Sequence, residues 1–250
     1  MVPKLSTGWY SNRVRMRVNV ARWGTGGLPV LLFPTAGGDF EESERFLMMK
    51  VLDPLLSAGR IRVYSCDSVA GRVWSDGESS GARRAWMQNA FDSFIYEELV
   101  PAIRMDCKAP DIEIATAGAS LGAFNALASV CRHPDVFSTA VCMSGTYDFT
   151  RWMDGVHNLD FHYMSPLHFL PMLPEGAQLD AIRKRFILLA TGEGDYEAPW
   201  ESWRVATLLG AKGIPNRVDS WGTDYRHDWV TWRAMLPKYL NQLTLEPQKV

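Results

Sequence analysis

Residues 114–130 read IATAGASLGAFNALASV, and the pattern changes abruptly in the middle of this uncharged segment. The first part is typical of a buried strand, and the part from Leu121 onwards is typical of a helix. Gly118 and Gly122 stand two residues before and two residues after Ser120. A sharp strand-to-helix turn leaves no room for side chains at those two positions. The segment therefore predicts a strand, a tight turn with a serine at its tip, and a helix.

Strand and helix patterns alternate along most of the chain. The strand-like segments are LPVLLF, IRVYSCDS, DIEIATA, FSTAVCMSG, RFILLATG and NRVDSWG, and helical patterns cover residues 42–58, 82–105, 121–132, 198–210 and 229–242. This order is typical of an α/β fold with a mostly parallel central sheet and helices on both faces. We expect a single domain over residues 1–250, without a separate lid domain. Residues 147–180, rich in aromatic residues, Pro and Met, are predicted to form an irregular excursion above the carboxyl ends of the strands.

The charges argue against a nucleic-acid or membrane partner. Lys and Arg number 26 against 28 Asp and Glu, which gives a net charge of -2 with no long run of one sign. A basic surface for phosphates or anionic lipids therefore has no support. In the most basic stretch, RVRMRV, Arg13, Arg15 and Arg17 alternate with apolar residues, which predicts a half-exposed strand.

The N-terminal residues and the cysteines favour a cytoplasmic location. The start MVPKLSTGWY lacks the basic and apolar regions of a signal peptide. The four cysteines form no CxxC pair, so we expect buried free thiols at Cys66, Cys107, Cys131 and Cys142 rather than disulfides or metal ligands.

The G-x-S-x-G pattern around Ser120 predicts a nucleophile. The helix that starts at Leu121 would direct main-chain N–H groups and its positive dipole end toward this serine. A second copy of the pattern, GESSG at 77–81, does not follow an apolar strand and precedes the charged stretch ARRAW. We interpret that copy as a loop and a helix N-cap.

A serine nucleophile needs a base, and His227 is the favoured candidate because it lies between the last predicted strand and the last helix. His133, at a helix end beside a proline, is interpreted as structural. Three further histidines fall in the irregular excursion and could line a pocket: His157, His162 and His168.

The base needs an orienting carboxylate, which we expect on the loop after the preceding strand. The stretch LLATGEGDYEAPW offers Glu193, Asp195 and Glu197 there. Asp195 is favoured because three residues of loop after Thr191 give it reach toward the histidine. Asp228 is interpreted as a solvated or capping residue.

An oxyanion hole needs the N–H of the residue after the nucleophile and a second N–H from the loop after an earlier strand. Leu121 would supply the first. The stretch LLFPTAGGDF ends a strand in small residues, so Ala36 is the candidate for the second, with Thr35 as its neighbour.

Five stretches carry a resemblance to a known family: PVLLFPTAGGDFEE, GRIRVYSCDSVAGRVW, GASLGAFNALASVCRHPDVF, CMSGTYDFTRW and HDWVTWRAMLPKYL. The chain resembles the α/β-hydrolase fold and, within it, the "Putative esterase" family, which includes esterase D, enterochelin and feruloyl esterases and mycolyltransferases. The resemblance implies Ser120 as nucleophile, Asp195 as acid and His227 as base, with Ala36 and Leu121 in the oxyanion hole. Many relatives begin the oxyanion loop with His-Gly or Asp-Gly, whereas this chain has Pro34 and Thr35.

Together these features predict a serine esterase that acts on short-chain or small esters through an acyl-enzyme. Such an enzyme takes a small-molecule ester and needs no metal or organic cofactor, and a homo-oligomer is compatible with the sequence. An acyltransferase, a thioesterase and a non-catalytic binding protein of the same fold are the alternatives. The aromatic residues predicted to shape the substrate pocket are Trp74, Trp152, Phe161 and Tyr163, with Met164 and Trp200 nearby.

Overall fold

An eight-stranded sheet forms the centre of the computed structural model, which describes residues 2–245. The strands are β1 (Lys4–Ser11), β2 (Met16–Trp23), β3 (Leu28–Phe33), β4 (Ile61–Cys66), β5 (Ile114–Ala119), β6 (Phe137–Met143), β7 (Phe186–Thr191) and β8 (Asn216–Ser220). Their spatial order is β1-β2-β4-β3-β5-β6-β7-β8. The strand β2 runs antiparallel to β1 and β4, and the six strands β4, β3, β5, β6, β7 and β8 run parallel to one another. The predicted mostly parallel sheet is confirmed.

Helices cover both faces of the sheet, as predicted. They are α1 (Glu42–Arg45), α2 (Met48–Ser57), α3 (Val69–Ser75), α4 (Gly81–Phe94), α5 (Val100–Cys107), α6 (Leu121–Arg132), α7 (Leu159–Met164), α8 (Pro166–Met172), α9 (Ala177–Ile182), α10 (Pro199–Ala211) and α11 (Trp229–Leu243). Leu31 and Phe33 pack into the core formed with α4, α6 and α10, whereas Val30 and Leu32 pack into the core formed with α2 and α11. Because successive strand residues point to opposite faces, a strand covered on both sides is apolar throughout.

The N-terminal strand prediction was wrong for the first half of RVRMRV. Residues 12–15 form the turn between β1 and β2, so Arg13 and Arg15 lie in a turn, and only Arg17 lies in a strand. Arg15 has a φ of 55°, a left-handed conformation that reverses the chain there. Alternation of charged and apolar residues indicates a strand, but it does not show where the chain turns from one strand into the next.

Two predicted helices are interrupted. The helix over 42–58 is divided into α1 and α2, because Leu47 has a φ of 64°. The helix over 82–105 contains a π-helical segment at Ile95–Leu99 between α4 and α5. The predicted helices over 121–132, 198–210 and 229–242 are confirmed within one or two residues as α6, α10 and α11.

The excursion predicted at 147–180 holds a 3-10 turn at Thr150–Trp152 and the three short helices α7, α8 and α9. Helix α7 packs against α4, and α8 packs against α6 and α10, which places both on one face of the sheet. The position of this excursion above the carboxyl ends of the strands stays a prediction.

All four cysteines are free thiols, and Cys66, Cys131 and Cys142 are buried as predicted. The predicted burial of Cys107 was wrong, because this residue ends helix α5 and is partly exposed. Burial raises the pKa of the Cys142 thiol to about 12. No helix within residues 2–245 has the length and apolar character needed to cross a membrane.

Candidate active site

Ser120 lies at the tip of the turn between β5 and α6, with a φ of 56° and a ψ of -121°. Its main-chain N–H donates to the main-chain oxygen of Met143, at 3.0 Å, which ties the turn to the end of the neighbouring strand β6. A non-glycine residue with a positive φ persists only where the surrounding structure enforces it. The predicted strand, sharp turn and helix are therefore present, with the serine half-buried at the turn.

The two glycines around Ser120 are required by close approach of main-chain atoms. A Cβ on Gly118 would lie 2.3 Å from the carbonyl of Gly122. A Cβ on Gly122 would lie 2.6 Å from the oxygen of Phe33 and 2.7 Å from the oxygen of Pro34. The first turn of α6 is thus packed directly against the end of β3, where the predicted oxyanion loop begins.

The loop after β3 is held by a buried carboxylate. Glu42, only 6% exposed, accepts a hydrogen bond from the N–H of Thr35 at 2.8 Å and from its hydroxyl at 2.6 Å. Helix α3 closes against the same loop, since a Cβ on Gly71 would lie 2.2 Å from the oxygen of Ala36. Within residues 2–245, the N–H groups of Ala36 and Leu121 donate to no protein acceptor. The role of these two N–H groups as oxyanion donors stays a prediction.

The second G-x-S-x-G copy is structural, as predicted. Ser80 is the N-cap of α4, and its hydroxyl accepts a hydrogen bond from the N–H of Arg83 at 3.3 Å. Ser79, the central serine of GESSG, donates its hydroxyl to Asp76 at 2.7 Å. The element directly before this copy is helix α3 and not a strand, so no strand-to-helix elbow forms there.

His227 lies on the loop between β8 and α11. Its ring meets Trp232 edge to face, with centroids 5.1 Å apart and an interplanar angle of 85°. Trp232 donates its indole N–H to the hydroxyl of Ser144, at 2.9 Å, and Ser144 directly follows the Met143 to which Ser120 is bonded. The histidine and the serine therefore converge on the carboxyl end of β6.

Burial lowers the pKa of His227 below its ordinary value of 6.5, while the negative charges of Glu197 and Asp228 act in the opposite direction. Asp228, at the N-cap position of α11, also pairs with Arg226 at 3.1 Å. Because burial dominates, the imidazole is neutral at pH 7 and can accept a proton.

The loops after β7 and β8 are joined by main-chain hydrogen bonds. Gly194 donates to the oxygen of Tyr225 at 3.0 Å, and His227 donates its main-chain N–H to the oxygen of Asp195 at 2.9 Å. The loop that carries the candidate carboxylates therefore fixes the main chain of the candidate base.

The three candidate carboxylates have different environments. Glu193 and Asp195 are exposed, and Glu193 accepts a hydrogen bond from the hydroxyl of Ser220. Glu197 is 9% exposed, and its charge acts on His227. Its two oxygens accept hydrogen bonds from the hydroxyls of Ser144, at 2.6 Å, and Thr191, at 3.3 Å.

Within residues 2–245, no side-chain hydrogen bond is formed by the carboxylate of Asp195 or by the ring of His227. Catalytic hydrogen bonds are often long in a ligand-free enzyme and shorten when substrate binds. The sequence offered Glu197 as a candidate but gave no role to Ser144 or Trp232. The position of Ser144 directly after β6, beside Ser120, is the signal that could have found it.

The remaining histidines lie elsewhere. His133 follows α6, and its Nε2 lies 2.9 Å from an oxygen of Asp92, while its ring stacks on Tyr96 with centroids 4.2 Å apart. This arrangement confirms its structural interpretation. The cavity predicted for the excursion exists, with a volume of about 570 Å³, and its lining includes His157, His162 and His168.

The aromatic residues expected to bind substrate fall into two groups. Trp74 and Trp152 both contact Phe149, with ring centroids 4.6 and 5.5 Å from it. Phe149 in turn contacts Phe124 in the first turn of α6. Phe161 is buried at the histidine-lined cavity, and Tyr163 is 55% exposed. The first group is connected to the helix that begins after Ser120, and contact of either group with substrate stays a prediction.

The part of the chain between residues 2 and 245 contains no group of three or more His, Cys, Asp or Glu side chains placed to hold a metal ion.

Comparison with known proteins agrees with this architecture. The model of a family described as "Putative esterase" matches residues 61–243. Among solved structures, a ferulic acid esterase is similar with a TM-score of 0.75, 16% identity and 98% coverage of both chains. An S-formylglutathione hydrolase from Agrobacterium tumefaciens has a TM-score of 0.71 at 12% identity, covering 96% of this chain and 93% of its own.

A fluorophosphonate-binding serine hydrolase from Staphylococcus aureus is also similar, with a TM-score of 0.68, 13% identity and coverage of 98% of this chain and 99% of its own. No protein in the curated set matches in sequence. The fold is that of the α/β-hydrolases, and the family match covers well over half of the chain. The protein is a carboxylic ester hydrolase, and it belongs to the "Putative esterase" family.

Proposed function

We propose that Ser120 is the nucleophile and His227 the base of a reaction that hydrolyses small carboxylic esters through an acyl-enzyme. The observation that carries this proposal is the strained turn at Ser120, positioned between the first turn of α6 and the loop after β3. A serine hydroxyl is a weak nucleophile at neutral pH, and a neighbouring base removes that limitation.

In the first half of the reaction, the Ser120 oxygen bonds to the ester carbonyl carbon while its proton moves to the imidazole of His227. The bond to the alkoxy oxygen then breaks, and the imidazolium gives its proton to the departing alcohol. In the second half, His227 takes a proton from water, the hydroxide attacks the acyl carbon, and Ser120 recovers its proton as the acid leaves. The lowered pKa of His227 supports this role, because the base is neutral at the start of each half.

The N–H groups of Leu121 and Ala36 would stabilise the negative oxygen of the tetrahedral intermediate. Their lack of protein acceptors within residues 2–245 supports this assignment. Donors fixed before the reaction cost no reorganisation when the charge develops, which is why such donors contribute strongly to the rate.

Small or short-chain esters, including esters with an aromatic acyl group, are the proposed substrates. The aromatic cluster of Trp74, Phe149 and Trp152 next to α6 supports an apolar wall beside the nucleophile. One protein with a similar fold is a ferulic acid esterase. An orienting carboxylate is also required, and Asp195 and Glu197 are the residues of the loop after β7 that could supply it.

The test is hydrolysis of p-nitrophenyl esters, from acetate to palmitate, by the wild type, Ser120→Ala and Ser79→Ala. Ser79 is a matched control because it is the central serine of the other G-x-S-x-G copy. We expect Ser120→Ala to lose activity by about ten-thousand- to million-fold, and Ser79→Ala to retain it. Labelling by a fluorophosphonate should follow the same pattern. Normal turnover or labelling of Ser120→Ala would disprove the assignment.

A further inference from the structure

We propose that Glu197, held by the hydroxyl of Ser144, is the carboxylate that accepts a hydrogen bond from the imidazole of His227 and orients it. This inference rests on the proposed role of His227 as the base. It assigns a positioning role to two residues, Glu197 and Ser144, and leaves the side chain of Asp195 outside the site.

The main chain between Asp195 and Glu197 explains why the two carboxylates differ. Tyr196 has a φ of 64°, and its side chain is 92% exposed. This left-handed conformation reverses the direction of the chain, so the side chains of Asp195 and Glu197 can lie in different environments. Asp195 is exposed and uses its main-chain oxygen to hold the N–H of His227, whereas Glu197 is 9% exposed.

One carboxylate oxygen of Glu197 can accept a further hydrogen bond. Oε1 accepts from Ser144 at 2.6 Å, but Oε2 has only a 3.3 Å contact with the hydroxyl of Thr191. That hydroxyl also lies 2.9 Å from the oxygen of Gly192, and it has a single proton to donate. A buried carboxylate is costly unless its oxygens are bonded. Oε2 therefore lacks a strong hydrogen-bond donor. An N–H of the His227 imidazole would supply that hydrogen bond.

Trp232 connects the hydrogen bond between Ser144 and Glu197 to His227, and it determines which group donates in that bond. An indole N–H can only donate, so the hydroxyl of Ser144 accepts from Trp232 and must give its own proton to Glu197. The same indole ring contacts the ring of His227 edge to face. A single side chain thus touches both the base and the group that holds the carboxylate.

Ser144 has a strained main-chain conformation. It has a φ of 47° and is 3% exposed, directly after β6. Its main-chain N–H donates to the oxygen of Ala190 at 2.8 Å, which fixes the residue against β7. A non-glycine residue kept at a positive φ is a frequent feature of functional sites, and here the retained side chain supplies the hydrogen bond to Glu197.

The charges around His227 agree with this geometry. Glu197, from the loop after β7, and Asp228, from the start of α11, both raise the pKa of the imidazole against the effect of burial. The charge of Asp228 is partly balanced by Arg226 at 3.1 Å. Asp195 is not among the groups that act on the imidazole.

The test compares Glu197→Gln, Asp195→Asn and Glu193→Gln, with Glu197→Asp as the conservative variant. Replacing the triad carboxylate by its amide in another serine hydrolase lowers kcat by about ten-thousand-fold, so we expect a loss of three to four orders of magnitude for Glu197→Gln. Glu197→Asp should restore part of this loss. The matched control Glu193→Gln should change kcat by less than about threefold, because an exposed side chain away from the reacting atoms contributes little. Asp195→Asn should lower kcat much less than Glu197→Gln, because the side chain of Asp195 is exposed.

A second readout does not depend on activity. In the Ser120→Ala background, NMR titration of His227 should show a lower pKa after Glu197→Gln and an unchanged pKa after Asp195→Asn, because only the first change removes a charge that acts on the imidazole. An unmoved pKa in the folded Glu197→Gln variant would contradict a contact between this carboxylate and the imidazole. If Glu197→Gln does not fold, Ser144→Ala provides the test, with an expected drop in kcat of roughly tenfold.

Loss of activity and a lowered histidine pKa in Asp195→Asn, with Glu197→Gln near normal, would overturn the inference. That result would leave the proposed function intact. An active Ser120→Ala variant would instead remove the proposed function itself.

Discussion

Gly122 of α6 lies so close to the oxygen of Phe33 that a Cβ atom on this glycine would be 2.6 Å from it. This contact brings two parts of the predicted oxyanion hole together, since the N–H of Leu121 precedes Gly122 and the loop with Ala36 follows Phe33. The N–H of Leu121 belongs to α6 and the N–H of Ala36 belongs to the loop after β3. The distance between them therefore depends on how closely α6 approaches that loop.

Gly122→Ala should therefore reduce both stability and activity. The added methyl group must displace main-chain atoms of Phe33 and Pro34, and overpacking of this kind costs about 1–3 kcal/mol of unfolding free energy. We expect kcat to fall more than KM rises, because the oxyanion donors act mainly in the transition state. Chemical denaturation and steady-state kinetics on a short p-nitrophenyl ester measure the two effects.

The matched control for this substitution is Gly210→Ala in α10, where a Cβ would meet no atom within 4 Å. The same chemical change should stabilise the protein there by about 0.5–1 kcal/mol, because alanine is favoured over glycine in a helix. Equal effects of the two substitutions would contradict the packing argument.

The pH dependence of kcat/KM should show an acid limb with a midpoint below 6.5. The base must be neutral, and burial lowers the pKa of His227 below its ordinary value of 6.5. Activity should therefore be complete at pH 7 and fall as the pH drops through the lowered pKa. In the unfolded chain this histidine binds its proton at a higher pH, so its contribution to stability is also lost as the pH falls below 6.5.

Initial rates between pH 4 and pH 9 measure this limb, with intrinsic tryptophan fluorescence at each pH as the check that the protein remains folded. An acid limb centred above pH 6.5 in the folded protein would contradict the burial of the base.

Glu42 should be important for activity although it lies away from the nucleophile. It accepts two hydrogen bonds from Thr35, next to the oxyanion candidate Ala36. Glu42→Ala frees the loop, so we expect kcat to fall by about 10- to 100-fold while KM changes little, a smaller loss than the roughly 100- to 1,000-fold caused by removing an oxyanion donor altogether. Glu41→Ala is the control, because that neighbouring carboxylate is bonded to the surface residue Lys4. A shared effect of both substitutions would indicate a general loss of local structure.

The sequence predicts the nucleophile well because its signal is local. Gly118, Ser120 and Gly122 are fixed by one turn, and the strand before and the helix after this turn have clear patterns. The sheet and the principal helices α6, α10 and α11 follow from the same alternation of patterns. The break at Leu47 has no such signal, because a left-handed leucine is set by tertiary packing.

The choice among the carboxylates is a harder problem. Asp195 and Glu197 are two residues apart, and their environments depend on the left-handed conformation of Tyr196 and on hydrogen bonds to a distant serine, Ser144. The sequence argument for Asp195 used only its distance along the loop from β7. It took no account of the conformation of Tyr196 or of the hydrogen bond from Ser144. Burial of a side chain between two loops is a tertiary property that spacing in the sequence does not encode.

Ser80→Ala should destabilise the protein without affecting catalysis. The hydroxyl of Ser80 caps α4 by accepting a hydrogen bond from the N–H of Arg83 at 3.3 Å. Removal of an N-cap side chain costs about 0.5–2 kcal/mol of unfolding free energy. Urea denaturation should show this loss, while kcat and KM for a short ester stay within about twofold of the wild type, because surface caps leave the reacting groups in place. A large fall in kcat at unchanged stability would instead assign a catalytic role to the second G-x-S-x-G copy and contradict its interpretation as a cap.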